Sequence, residues 1–137
     1  MDKLEAVKRY YGKMLSDEKF YQRFYDNFLV SHPEVPKRFE GVDLINQHKL
    51  LRHGVNLMIM FADKNLAGDM GLERIKKTHS PSHMGIPGFL YDYWKASFLK
   101  TLDQLDPNLE HDVREGWEEL IDMGIEKIRT PVSAYNN

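Results

Sequence analysis

Apolar residues recur along this chain at steps of three and four, the spacing of one helix face. No stretch alternates apolar with polar cleanly enough to make a strand. In "SDEKFYQRFYDNFLV", Phe20, Phe24 and Phe28 form one i, i+4 row, and Tyr21, Tyr25 and Leu29 form the row beside it. Ser16 suits the N-cap of that helix, with Asp17 and Glu18 in its first turn. The prolines of "HPEVPKRF" (32–39) predict a turn and a short helical corner. A long helix is expected over about 43–62, with Leu44, Gln47, Leu51, Val55, Met58 and Ala62 on one side. "LAGDMG" reads as a break, after which Asp69 caps a helix over about 70–79 whose inner face carries Leu72, Ile75 and His79. Pro87 suits the first turn of the next helix, which carries Phe89, Leu90, Tyr93, Trp94, Ser97, Phe98 and Leu102. "DP" at 106–107 predicts the start of the last, with Leu109, Val113, Trp117, Leu120, Ile121, Ile125 and Ile128 turned inward. The expectation is an all-α chain of about six or seven helices. It forms one domain over 1–137, with a disordered tail at its last few residues.

Composition narrows the function classes. The 137 residues are 42% apolar and 29% charged, an ordinary globular balance, and the net charge of −2 comes from interspersed acids and bases. No basic stripe invites a nucleic acid. The absence of cysteine excludes disulfides, thiolate metal sites, cysteine nucleophiles and attachment of a group through C-x-x-C-H. "MDKLEAVKRYY" lacks the apolar core of a signal peptide, and "VNLMIMFA" is far shorter than the ~18 residues of a membrane span. A soluble, cytoplasmic protein is expected.

Three polar residues interrupt the apolar stripes at inward positions: Tyr25, Gln47 and His79. Each costs free energy when buried unless it finds a partner. The plain explanation is a bond to a nearby backbone carbonyl, or a tip that reaches water. His79 and His83 in "KKTHSPSHMGIPG" have the spacing of a chelating pair on an unbroken helix. Pro81 disfavours the helical conformation at Ser80, however, so His83 falls in the following loop and no longer shares a face with His79. One inward histidine remains at a helix C-terminus, where the dipole favours a cation unless something holds the ring neutral; a metal on Nε2 would do so.

The ordered motifs "FYQRFYDNFLVSHPEVPKRF", "VDLINQHKLLRHGVNLMI", "THSPSHMGIPGFLYDYWKASFL" and "DPNLEHDVREGWEELIDMGI" resemble a bacterial single-domain haemoglobin of the globin superfamily, the branch related to globin sensor domains. The resemblance spans nearly the whole chain. It implies a globin fold enclosing haem b (protoporphyrin IX iron). Only four residues separate Phe39 from Leu44, so no separate small helix is expected between the corner and the long distal helix. His79 matches the proximal histidine on iron. Tyr25 and Gln47 match the distal tyrosine and glutamine, Leu51 the apolar residue over the iron, and Phe39 the phenylalanine against the porphyrin. Tyr91, Tyr93, Trp94 and Trp117 are candidates to line or support the proximal side, with Tyr93 and Trp94 on the inward stripe. A second-shell carbonyl or carboxylate is expected to orient His79.

The implied ligands are O2, NO or CO, for scavenging, sensing or detoxification. Three alternatives stand beside this one. A haem enzyme, an NO dioxygenase or peroxidase-like protein, would need a separate reductase. A six-coordinate electron-transfer b-type haem protein would close the iron with His48 or Met84. A haem-free helical partner-binding module would keep the three polar residues as structural groups. His48 points roughly 100° around the helix from Gln47, toward the pocket rim or solvent. A register shift of one would make it the distal residue. Gly54 is either a site of close helix approach or a tolerated glycine. Arg52, His53, Lys76, Lys77 and His83 are candidates to meet the haem propionates.

Overall fold

A computed structural model describes residues 2–80 and 82–129; the expected tail lies outside them. The described residues form seven helices: α1 (Lys3–Leu15), α2 (Glu18–Leu29), α3 (Glu34–Arg38), α4 (Leu44–Ala62), α5 (Leu66–His79), α6 (Phe89–Leu105) and α7 (His111–Ile128). Among them there is no strand, and no helix is long and apolar enough to cross a membrane. The short corner α3 leads directly into α4, with no helix between them.

The principal packings are α4 on α5, α1 on α7 and α2 on α6. The aromatic row of α2 drives the last of these: Phe20, Tyr21 and Phe24 are fully buried. Phe20 meets Phe98 edge-on at 5.2 Å, and Phe98 in turn lies 5.2 Å from Trp117. Burying a phenylalanine contributes roughly 1.5–3 kcal/mol, so this chain of rings is the main apolar tie between α2, α6 and α7. A polar lock fixes the same crossing, Asn27 donating to Thr101 Oγ1 at 3.1 Å and Gln104 Oε1 at 2.9 Å.

Several boundaries differ from those the sequence predicts, each for a local reason. Asp17 rather than Ser16 caps α2, its carboxylate accepting from Lys19 N at 2.9 Å; the Ser16 hydroxyl instead turns back to Lys13 O and closes α1. "LAGDMG" is not a break. Asn65 caps α5 by accepting from Ala67 N at 2.8 Å, and Asp69 stands in the first turn. The glycine at 68 serves helix contact: a Cβ there would lie 2.4 Å from Phe61 N and 2.7 Å from Met60 C, both backbone atoms of α4. Gly54, offered as a point of close approach, has nothing within 4 Å of where its Cβ would stand. Pro87 precedes the Gly88 N-cap of α6. Asp106 closes α6, its N–H donating to Leu102 O at 2.9 Å, so α7 starts four residues after Pro107 instead of on it. Leu44, assigned to the inner side of α4, is 37% exposed in its first turn.

The two glycines of α4 and α5 should therefore respond oppositely to alanine. Gly68→Ala forces apart the α4–α5 backbone contact and should cost about 2 kcal/mol. Gly54→Ala enters open space inside a helix and should stabilise by up to about 1 kcal/mol. Urea denaturation of both variants checks the pair; equal effects would contradict the packing.

Candidate functional site

An apolar cavity of about 280 Å³ opens where the α3 corner, α4, α5 and α6 converge with the end of α7. Leu51 and Met58 of α4, Ile75 of α5, Leu90 and Trp94 of α6, and Phe39 form much of its wall. The polar residues at it are few: Tyr25, Arg38, Gln47, His79 and Tyr91. An apolar slot with a handful of placed polar groups is the usual make-up of a small-molecule or cofactor site.

His79 is the last residue of α5, and the chain after it is pinned to the helix end. Ser80 is extended (φ −63, ψ 163), as a residue before proline must be. Met84 N donates to Thr78 O at 3.0 Å, Gly85 N to Ser80 O at 2.9 Å and Ile86 N to His79 O at 3.0 Å. Gly85 turns the chain at φ +60, the left-handed region that glycine enters without cost. The His79 Nδ1 lies 2.9 Å from the Tyr91 hydroxyl. Burial lowers the imidazole pKa and so favours the neutral ring, against the pull of the helix dipole toward the cation. A neutral ring whose Nδ1–H donates to the Tyr91 oxygen carries its lone pair on Nε2, the tautomer a metal ligand needs. The group in contact with Nδ1 is thus a phenol, where a carbonyl or carboxylate was expected; Tyr91 was legible as one of four residues to line or support that side.

Tyr25 is buried, its ring edge-on to Phe24 at 5.0 Å and to Phe39 at 5.7 Å. Its hydroxyl donates to the backbone carbonyl of Gln47 at 3.3 Å. Burial pushes the phenol up to about 12, against a smaller opposing effect of the Gln47 side chain. Tyr25, Phe39, Gln47, Leu51, Trp94 and His79 all border the one cavity. Tyr93 does not: it is 37% exposed, its ring 4.9 Å from His32, because the turn of α6 that aims Leu90, Tyr91 and Trp94 at the cavity carries residue 93 to the outside.

The remaining candidates scatter. His83 binds Ser80 and Ser82 hydroxyls through Nδ1, at 3.1 and 3.2 Å, so it forms no pair with His79. Among the described residues no three potential ligands gather for a bare metal ion. Arg52 donates to Tyr21 Oη at 3.0 Å, and neither it nor His53, Lys76, Lys77 or His83 borders the cavity. Arg38 does, its guanidinium 3.4 Å from Met84 O across the corner. Sequence reasoning passed over it; its place directly before Phe39 was the available signal.

An all-helical fold whose described residues form seven helices, with α2 to α7 bordering one apolar cavity, is a globin-like fold. The chain is similar to the solved structure of protein PA3967 from Pseudomonas aeruginosa PAO1, itself described as structurally highly homologous to a human hemoglobin. The TM-score is 0.86 at 27% identity, over 93% of this chain and 96% of that one. No family model matches the chain, and no curated protein matches it in sequence.

The buried phenol supplies a direct check. Tyr10 and Tyr25 are both raised from 10.0 to about 12, and burial raises Tyr21 as well, so alkaline difference spectroscopy should show late tyrosine ionisations, one of them lost in Tyr25→Phe. Because the folded value lies above the unfolded one, the stability Tyr25 contributes is whole below pH 10 and is lost as pH rises toward 12.

Proposed function

We propose that the cavity holds haem b, with His79 as the residue that would ligate its iron, and that the protein reversibly binds O2 and related diatomic gases in the cytoplasm. The carrying observation is His79 itself: a half-buried imidazole, favoured neutral, in contact through Nδ1 with Tyr91, and bordering an apolar slot. The residues present fit the group. Phe39, Leu51 and Trp94 offer the faces a flat apolar macrocycle needs, and Arg38 offers a cation for its carboxylate edge. The likeness to a haemoglobin-like protein supports the same reading.

Haem iron held there by His79 would supply a coordination site for a diatomic gas. The chain's part is to hold His79 in one tautomer, exclude bulk water, and offer donors to a ligand that becomes partly negative. The Tyr25 phenol and the Gln47 amide are those donors, and they favour oxygen over carbon monoxide. Such donors suit tight holding, hence scavenging, sensing or NO detoxification above bulk delivery. Catalytic turnover of NO or peroxide would use the same residues and require electrons from a separate reductase.

Absorption spectra of the haem-supplemented protein, ferric, dithionite-reduced and CO-treated, test the reading. We expect stoichiometric uptake, a five-coordinate ferrous form that shifts with CO, and loss of both in His79→Ala. A six-coordinate ferrous spectrum would favour electron transfer, with Met84, at the cavity wall, the closing ligand. No uptake would leave Tyr25, Gln47 and His79 as structural polar groups. In the loaded protein, Tyr25→Phe should release oxygen roughly tenfold faster or more, the worth of one charge-assisted hydrogen bond.

A further inference from the structure

Tyr25 must present its phenol to the cavity within a narrow angular range, because a donor misaimed by ~10–20° loses most of its advantage. Two edge-on rings, Phe24 and Phe39, confine it. A third contact comes from His48, whose ring runs nearly parallel to that of Tyr25, at 14° and 5.7 Å between centroids. His48 follows Gln47, whose carbonyl accepts the Tyr25 proton. Consecutive residues of α4 therefore hold both parts of the tyrosine, its ring and its hydroxyl.

His48 does not border the cavity. Its side chain is 19% exposed and is itself fixed from several directions. The ring lies 25° from that of Tyr21 at 5.8 Å, and Nδ1 is 3.4 Å from Glu18 Oε2. Glu18 also pairs with Arg52 at 3.5 Å, one turn along α4, and Arg52 donates to the Tyr21 hydroxyl. A leucine would fill the same half-buried space. It would offer Tyr25 no flat face and no edge nitrogen tied to α2, and ring rotation would be freer.

The hydrogen bond from Tyr25 to Gln47 O is long, at 3.3 Å, and so is weak enough to exchange for a better acceptor inside the cavity. We propose that His48 is the positioning residue for Tyr25: it holds the phenol where its proton can pass from the Gln47 carbonyl to a ligand in the cavity. This rests on the gas-binding reading above. His48 touches no ligand and acts only through Tyr25.

The test is a double-mutant cycle on the haem-loaded protein, with oxygen release followed by stopped flow. His48→Leu should speed release roughly threefold to tenfold, and His48→Phe, which keeps a flat ring, should restore it to within about twofold. In the Tyr25→Phe background, adding His48→Leu should change nothing, since the group being positioned is gone. The CO stretching band gives a second readout: His48→Leu should split or shift it in the parent and leave it unchanged in Tyr25→Phe. Equal effects of His48→Leu in both backgrounds, or none in the parent, would overturn the proposal while the gas-binding reading stands. Absence of haem uptake by the parent protein would remove that reading, and the positioning role with it.

Discussion

The cavity is organised around an imidazole that burial favours in its neutral form. A histidine at a helix C-terminus stands where the dipole stabilises positive charge, while burial of His79 disfavours the charged ring and lowers its pKa. Its Nδ1 faces the Tyr91 hydroxyl at 2.9 Å, a partner that can take the ring N–H without stabilising a cation as a carboxylate would. The contact fixes the ring's direction and suits the tautomer that leaves the lone pair on Nε2. The ring stands at a helix end to which the following loop is hydrogen-bonded.

The scaffold explains how such a cavity persists in a chain of this size. Aromatic packing between α2, α6 and α7 builds a core beside the slot, through Phe20, Phe98 and Trp117. The α4–α5 pair approaches backbone to backbone at Gly68, which fixes the line along which His79 is delivered. Facing Gly54, by contrast, is open space at the cavity wall. Small residues are thus used in two ways within adjacent helices, one to bring backbones together and one that leaves room.

These uses mark the limit of what the sequence reveals. The i, i+4 rows of α2 and the inward stripe of α4 were legible because burial imposes helical periodicity on them directly. Tyr25, Gln47 and His79 stood out because polar groups on such stripes demand a partner. Glycine carries no such sign: Gly68 and Gly71 read as a break, while contact with α4, which decides the matter, is tertiary. Caps were ambiguous for a related reason. Ser16 and Asp17 are both good N-cap residues, as are Asn65 and Asp69, and the choice falls to which side chain reaches a free N–H. Tyr93 is carried to the outside by its angle around α6, while Tyr91, two residues earlier, borders the cavity and meets His79.

A polar group on an apolar wall is costly, and the cost at Tyr25 is limited by a modest protein partner. The Tyr25 proton rests on the Gln47 carbonyl at 3.3 Å, long for a hydroxyl donor. A well-made neutral bond there would have to be broken for any ligand, and the net gain would vanish. On the proposed gas-binding reading, a partly negative ligand would offer the phenol a charge-assisted bond roughly twice as strong as a neutral one, and the exchange would be favourable. A ligand with little negative charge would offer no such difference and would leave the phenol on Gln47. Discrimination would then come from the competition between two acceptors for one proton. A phenol is protonated throughout the neutral range, and burial of Tyr25 extends that range upward, so its proton is present to be contested.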